Sequence, residues 1–207
     1  MPTNIVFDFG AVLFTWQPQL LVQTHFPAQA ATPDAARQLA ADIFHHHDWQ
    51  SFDGGTLELP AVSERTARRL GLPHQTLHAL MARIPEHLQP IPETVALLSR
   101  LNQRREQHGD VRLYFLSNMP APFARALEQR HAFLKCFDGG VFSGDARLIK
   151  PQAEIFQLLQ SRYALDPAQT VFIDDLLANV EAARRHGWRG IHFESAALLD
   201  RQLKTGP

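Results

Sequence analysis

Asp8, Ser117, Asn118, Lys150, Asp174 and Asp175 are side chains whose types and surroundings suit chemistry. Asp8 stands between Phe7 and Phe9 in an apolar run. A carboxylate there is weakly basic yet ionised at neutral pH, which suits a nucleophile; read alone, it also suits an Asp that caps a turn at a strand end. Asp174 and Asp175 are adjacent carboxylates whose charges repel, so a cation is their natural partner. Magnesium, which takes oxygen ligands and asks for only one or two protein carboxylates, fits them. A helix N-cap pair is the other reading, although capping needs only one of them. Lys150-Pro151 brings an ammonium to the start of a helical pattern, where charge and helix terminus favour the same anion. Ser117 and Asn118 add a hydroxyl, an amide and backbone N–H groups.

Each of these residues follows or lies between segments that must hold it in place. Thr3–Phe7, Val111–Leu116, Gly140–Phe142, Thr170–Ile173 and Gly190–Phe193 are short, apolar and rich in β-branched or aromatic residues, the pattern of buried strands. Helical periodicity covers Pro92–Arg105, Gln152–Tyr163 and Leu176–His186, the last stopping at Gly187. Strands alternating with helices predict a doubly wound, mainly parallel, Rossmann-like α/β sheet. In such a sheet the ligand crevice opens at the carboxyl ends of the strands, where Asp8, Ser117-Asn118 and Asp174-Asp175 all fall. Thr15–Leu88 breaks the alternation, with helical candidates separated by Pro27, Pro33, Asp53-Gly54-Gly55, Pro73 and Pro85. It reads as a small helical cap (residues 15–88) inserted after the first strand of a core made of residues 1–14 and 89–207. Pro85–Pro92 reads as the returning linker, and Arg201–Pro207 as a frayed end.

Asp8-Phe9-Gly10-Ala11-Val12-Leu13, Leu116-Ser117-Asn118, Lys150-Pro151 and Asp174-Asp175 with Asn179 together resemble the motifs of the haloacid dehalogenase-like hydrolase superfamily, in the family's order and across nearly the whole chain. The run Asp174–Ala183 is similar to the fourth motif of its magnesium-dependent phosphatases. The resemblance implies a magnesium-dependent phosphatase of a small phosphorylated metabolite. Asp8 would form an aspartyl-phosphate, and Lys150, Ser117 and Asn118 would hold the phosphoryl oxygens. Magnesium would sit on Asp8, the carbonyl of Gly10 and the Asp174/Asp175 pair, with Asp175 as direct ligand and Asp174 orienting Lys150. A 2-haloacid dehalogenase, which needs no metal, and a non-catalytic regulatory protein that binds a phosphorylated ligand are the alternatives; the acidic pair argues against the first.

Gly10 departs from the family's phosphatase pattern, which carries a second Asp there as general acid and base. Such help is worth about 10²–10⁴-fold, so the leaving group needs little protonation, or a cap residue or water supplies the proton, or turnover is lost. Similar family members with Gly at this place act on sugar phosphates, which makes a sugar phosphate the favoured substrate class and favours activity. In the cap, His45-His46-His47-Asp48 reads as an exposed polar stretch, because consecutive helical residues point about 100° apart and do not converge on one ion. His74 and His78 share a helix face without a third ligand, and Trp49–Gly55 is a candidate substrate-facing loop.

Lys and Arg number 20 against 21 Asp and Glu, so the chain has no electrostatic reason to hold nucleic acid or an anionic membrane. One cysteine, Cys136, excludes an intrachain disulfide and a thiolate zinc site. No run approaches the roughly 18 apolar residues of a membrane span, and Ile5–Phe14 lacks the basic start of a signal peptide. A cytoplasmic monomer or homodimer is expected.

Overall fold

A computed structural model describes residues 3–204. Five strands, β1 (Thr3–Phe7), β2 (Val111–Ser117), β3 (Gly139–Phe142), β4 (Thr170–Asp174) and β5 (Arg189–His192), form one sheet in the order β3-β2-β1-β4-β5. Every neighbouring pair is parallel. Side chains of a strand alternate between faces, so the apolar runs feed two cores. Ile5, Phe7, Leu113, Val171 and Ile173 pack with Leu97, Leu98, Leu101, Leu127 and Leu199 on one face. Val6, Tyr114, Leu116 and Phe172 pack with Ile155, Phe156, Leu159, Ala182 and Trp188 on the other. The helices Pro92–His108, Ala121–Arg130 and Ala196–Lys204 cover the first face, and Ala153–Tyr163 and Leu177–Arg185 the second. This is the doubly wound, Rossmann-like architecture.

Phe172 sits at the centre of the second core, fully buried, 5.5 Å from the Phe156 ring and 6.3 Å from that of Trp188. Phe172→Ala should therefore cost about 3–5 kcal/mol through lost burial and the remaining cavity. Urea unfolding reads this directly, and an unchanged midpoint would contradict the packing.

Between β1 and the helix Pro92–His108 the described chain is wholly helical or irregular, with helices at Pro18–His25, Pro33–Phe44, His47–Asp53, Leu59–Leu70, His74–Ala82 and Ile84–His87. Proline marks the starts of five of them, all but His47–Asp53, rather than breaking them. Pro33 is at the first turn of its helix, behind Thr32, whose hydroxyl accepts from the Ala35 N–H at 3.2 Å. Gly71, at φ +64°, closes Leu59–Leu70 in the left-handed conformation that glycine adopts without steric cost. The insert leaves and rejoins the sheet across one pair of hydrogen bonds, Thr15 N–H to Gln89 O at 2.7 Å and Ile91 N–H to Leu13 O at 2.8 Å.

Some expectations need correction. Pro85 belongs to the helical turn Ile84–His87, because a proline in the first turn gives up no helical hydrogen bond, so only its far end is a linker. Lys150-Pro151 lies in a turn before the helix Ala153–Tyr163, held by the Gln152 N–H on Ile149 O at 2.9 Å. Arg201–Lys204 continue the helix Ala196–Lys204 instead of fraying, anchored by buried Leu199 and by Lys204 on Asp200 at 2.7 Å. Residues 205–207 of that expected end lie outside the described residues.

Candidate active site

Sheet register brings the acidic residues together. Phe7 of β1 pairs with Ile173 of β4, and the Asp8 N–H donates to the Ile173 carbonyl at 2.9 Å. Asp8 and Asp174 therefore leave adjacent parallel strands at the same level and on the same side. The chain reverses its winding direction between these two strands, the point at which an open α/β sheet forms its crevice. Asp175 follows, and carboxylate oxygens of Asp8, Asp174 and Asp175 lie within 4.8 Å of one another. Lys150 enters from the turn before the helix Ala153–Tyr163. Its Nζ is 2.9 Å from Asp8 Oδ1 and 2.7 Å from Asp174 Oδ2, and its side chain is only 1% exposed. The ammonium also lies 5.5 Å from the centre of the Phe172 ring.

These charges do not balance. Burial pushes Asp8 up to about 6, against the pull of Lys150 and with a further push from Asp174. Burial, then Asp8 and Asp174, push Asp175 up to about 7. Burial alone would lower Lys150, but Asp174 and Asp8 outweigh it and hold the ammonium charged. Three clustered carboxylates against one ammonium make an oxygen-rich site short of positive charge, the donor chemistry that suits a small hard dication.

The carboxylates differ in what already binds them. Asp174 is fully buried and accepts from Lys150, from Asn179 Nδ2 at 3.0 and 3.1 Å and from the Leu176 N–H at 2.8 Å. Asp175 is the more accessible of the pair. Asp8 takes the Phe9 N–H at 2.7 Å, and the Ser117 side chain adds a small pull that favours its charged form. The Asn118 side chain clamps the Lys150 backbone: its Oδ1 accepts the Lys150 N–H at 2.8 Å and its Nδ2 donates to the Lys150 carbonyl at 3.0 Å. Its amide thus holds Lys150 in place. Gly10 lies on the loop after Asp8, where Leu13 and Phe14 donate to the Phe9 carbonyl at 2.9 and 2.8 Å. A Cβ built on Gly10 meets nothing within 4 Å, and the positive φ of this loop belongs to Ala11.

The sequence profile of the haloacid dehalogenase-like hydrolases matches residues 21–187. The chain belongs to this family. This hydrolase is 29% identical over 200 residues to the sesquiterpene phosphatase astK of Aspergillus oryzae, a match spanning 96% of this chain and 93% of the relative. Among solved structures, a HAD family enzyme of Bacteroides thetaiotaomicron in complex with magnesium and inorganic phosphate superposes with a TM-score of 0.68 at 19% identity, over 96% of this chain and 99% of that one. The L-2-haloacid dehalogenase of Xanthobacter autotrophicus with chloropropionic acid covalently bound gives a TM-score of 0.68 at 20% identity, over 100% and 84%. These two likenesses establish the shared fold. Among the described residues, no helix of this hydrolase is long and apolar enough to cross a membrane.

The insert of the hydrolase holds further polar groups. His46, His47 and Asp48 do converge, with ligand atoms within 4.8 Å of one another. They do so because His46 is the extended N-cap of the helix His47–Asp53, not one of its helical residues. Asp48 is buried rather than exposed, and the Arg65 guanidinium already lies 3.4 Å from its carboxylate. His74 and His78 both face the buried Ser63 hydroxyl, at 3.2 and 3.0 Å, which ties their helix to Leu59–Leu70. Trp49–Gly55 packs onto the sheet edge. The Ser143 hydroxyl donates to the Asp53 carbonyl at 2.6 Å, and accepts the Met119 N–H at 2.7 Å. Ser143 follows β3 just as Asp8 follows β1, and that position at a strand end is its signal in the sequence.

Proposed function

We propose that this hydrolase is a magnesium-dependent phosphatase of a small phosphomonoester, with residues 15–88 acting as a cap over the core of residues 1–14 and 89–207. The observation that carries this reading is the gathering of the Asp8, Asp174 and Asp175 carboxylates within 4.8 Å of one another, with Lys150 the cation paired to Asp8 and Asp174 among the described residues. Attack on a carbon–halogen bond has no use for such an excess of anionic oxygen, whereas a phosphoryl group bridged by a cation does. The sesquiterpene phosphatase relative supports the same choice.

In this mechanism Asp8 attacks phosphorus in line and becomes an aspartyl-phosphate, which water then hydrolyses. Lys150, in contact with Asp8, neutralises the nucleophile and a phosphoryl oxygen, and Asn118 fixes Lys150 from behind. Ser117 and the backbone after it supply further donors to the transferring group. Asp8, Asp175 and the Gly10 carbonyl would hold magnesium, and Asp174, saturated by Lys150, Asn179 and the Leu176 N–H, would support them. When bound, the ion supplies charge stabilisation to the phosphoryl oxygens.

Two substrate classes have support. Glycine at position 10 fits a sugar phosphate whose leaving oxygen is more acidic than a simple alcohol. Leu176 and Leu177, directly after Asp175, are 57% and 51% exposed, and with the sesquiterpene phosphatase relative they favour the phosphate ester of an apolar alcohol. A phosphate-release panel with magnesium, containing a hexose 1-phosphate, p-nitrophenyl phosphate and medium- and long-chain alkyl phosphates, tests both. Release from at least one is expected, and its rank order separates the classes. Silence across the panel, with chloride release from a 2-haloacid, would replace the phosphatase by the dehalogenase.

A further inference from the structure

Phosphate ester cleavage needs a proton for any leaving oxygen less acidic than a phenol, and Gly10 has no side chain to give it. In-line attack by Asp8 places that oxygen on the far side of phosphorus from the nucleophile. The group that protonates it must then come from the side facing the sheet edge, which is where the insert docks.

One acidic residue of the insert, half-buried Asp53, is seated there by its backbone. Asp53 ends the helix His47–Asp53, and its carbonyl takes the Ser143 hydroxyl at 2.6 Å; that hydroxyl also receives the Met119 N–H of the loop carrying Ser117 and Asn118. The two glycines that follow allow this close seating. A Cβ on Gly54 would stand 3.2 Å from Ile149 Cγ2, beside Lys150. At Gly55, with φ +66°, a Cβ would collide with the Gly144 carbonyl. The helix behind is pinned by Trp49, buried in contact with Phe44 and Phe52, and by Phe52 against Phe123 at 5.4 Å. Lys150 and Trp49 favour the charged form of the Asp53 carboxyl, and Asp8 opposes it.

We propose that Asp53 is the general acid and base of this hydrolase, supplied by the insert in place of the side chain missing at Gly10; the proposal rests on the phosphatase reading above. Burial is the largest influence on its carboxyl and, with Asp8 adding to it against Lys150 and Trp49, pushes it up to about 8, so that it carries its proton at neutral pH. In the first step Asp8 forms its bond to phosphorus, the phosphorus–oxygen bond to the alcohol breaks, and the Asp53 proton passes to the departing oxygen. In the second, the Asp53 carboxylate takes a proton from the water that attacks phosphorus, the Asp8–phosphate bond breaks, and Asp8 carboxylate, inorganic phosphate and protonated Asp53 are restored. Asp53 ends each cycle as it began.

The test is the dependence of aspartyl-phosphate formation on the leaving group, measured in single turnover on the magnesium-loaded enzyme. Wild type should show a shallow dependence between p-nitrophenyl phosphate and an alkyl phosphate, because the proton is supplied. Asp53→Asn should lower the alkyl rate by about 10²–10⁴-fold and the p-nitrophenyl rate by far less, since p-nitrophenolate leaves unprotonated. A residue that merely seats the insert would lower both rates alike, and that result overturns the proposal, as does an equal rate on both substrates before and after the change. A steep dependence in wild type overturns it without any variant. Adding Gly10→Asp to Asp53→Asn should restore alkyl turnover, since a side chain at position 10 meets no obstruction. Wild type that releases phosphate from no ester on the panel refutes the phosphatase reading instead.

Discussion

Replacing Asp8 with asparagine is expected to lower kcat/KM for every phosphomonoester this hydrolase accepts by on the order of 10⁴–10⁶, the scale on which an enzyme loses its covalent nucleophile. The amide keeps the size of the carboxylate and one oxygen for the Phe9 N–H, which now approaches Asp8 Oδ1 at 2.7 Å. It cannot serve as the anionic oxygen that attacks phosphorus. Loss of fold is not the expected cause. Because burial raises Asp8 to about 6, its folded form binds a proton more tightly than the unfolded chain does. The stability tied to that proton is complete at low pH and is lost as pH rises through about 6. Above that pH the ionised side chain works against the folded state, and a neutral asparagine escapes the cost. Lys150 keeps Asp174 at 2.7 Å. Thermal unfolding in chelator at pH 7.5 should therefore show Asp8→Asn melting no lower than wild type. Near-normal phosphate release by a preparation shown by mass to contain no aspartate at position 8 would remove the covalent mechanism.

How far the site could be read from sequence follows from the range of the contacts that build it. The strand runs declared themselves because both faces of a parallel sheet are buried, and Thr3–Phe7 needs no partner to look like such a strand. Asp8, Ser117 and Asp174 then fell at the sheet edge as a matter of strand ends. Side-chain direction was not legible. Asn118 offered an amide for phosphate, and only its contact with a residue 32 positions away shows that amide committed to the Lys150 backbone. The place of Asp53 depends on Ser143, 90 residues distant, and on Gly54 and Gly55, which read locally as helix breakers. Gly10 has neither a positive φ nor a neighbour within reach of a Cβ, so its backbone does not require glycine. The histidine run converges where helical spacing alone predicts divergence, because His46 caps the helix from outside it.

Chelation is expected to stop turnover and magnesium to restore it, for a reason visible without substrate. Asp8, Asp174 and Asp175 share one small volume, and Lys150 is the cation placed against them. A phosphate dianion entering that volume adds to the same unbalanced charge. The cost already shows in Asp8 and Asp175, raised to about 6 and about 7, where protons stand in for the missing positive charge. Magnesium and protons therefore compete for the same oxygens, and magnesium should bind more tightly as pH rises through this range. A ligand bound only by the folded state stabilises it by about 2.7 kcal/mol at 100 times its dissociation constant. The rise in melting temperature on adding magnesium should accordingly be large at pH 8 and small at pH 6. Asp175→Asn should abolish that rise while leaving the metal-free protein folded. Asp174→Asn should lower stability even in chelator, because Lys150, Asn179 and the Leu176 N–H all depend on that carboxylate. Full turnover in excess chelator, together with a melting temperature indifferent to magnesium at both pH values, would leave the three carboxylates without a shared ion and turn the reading towards metal-independent attack by Asp8 on carbon.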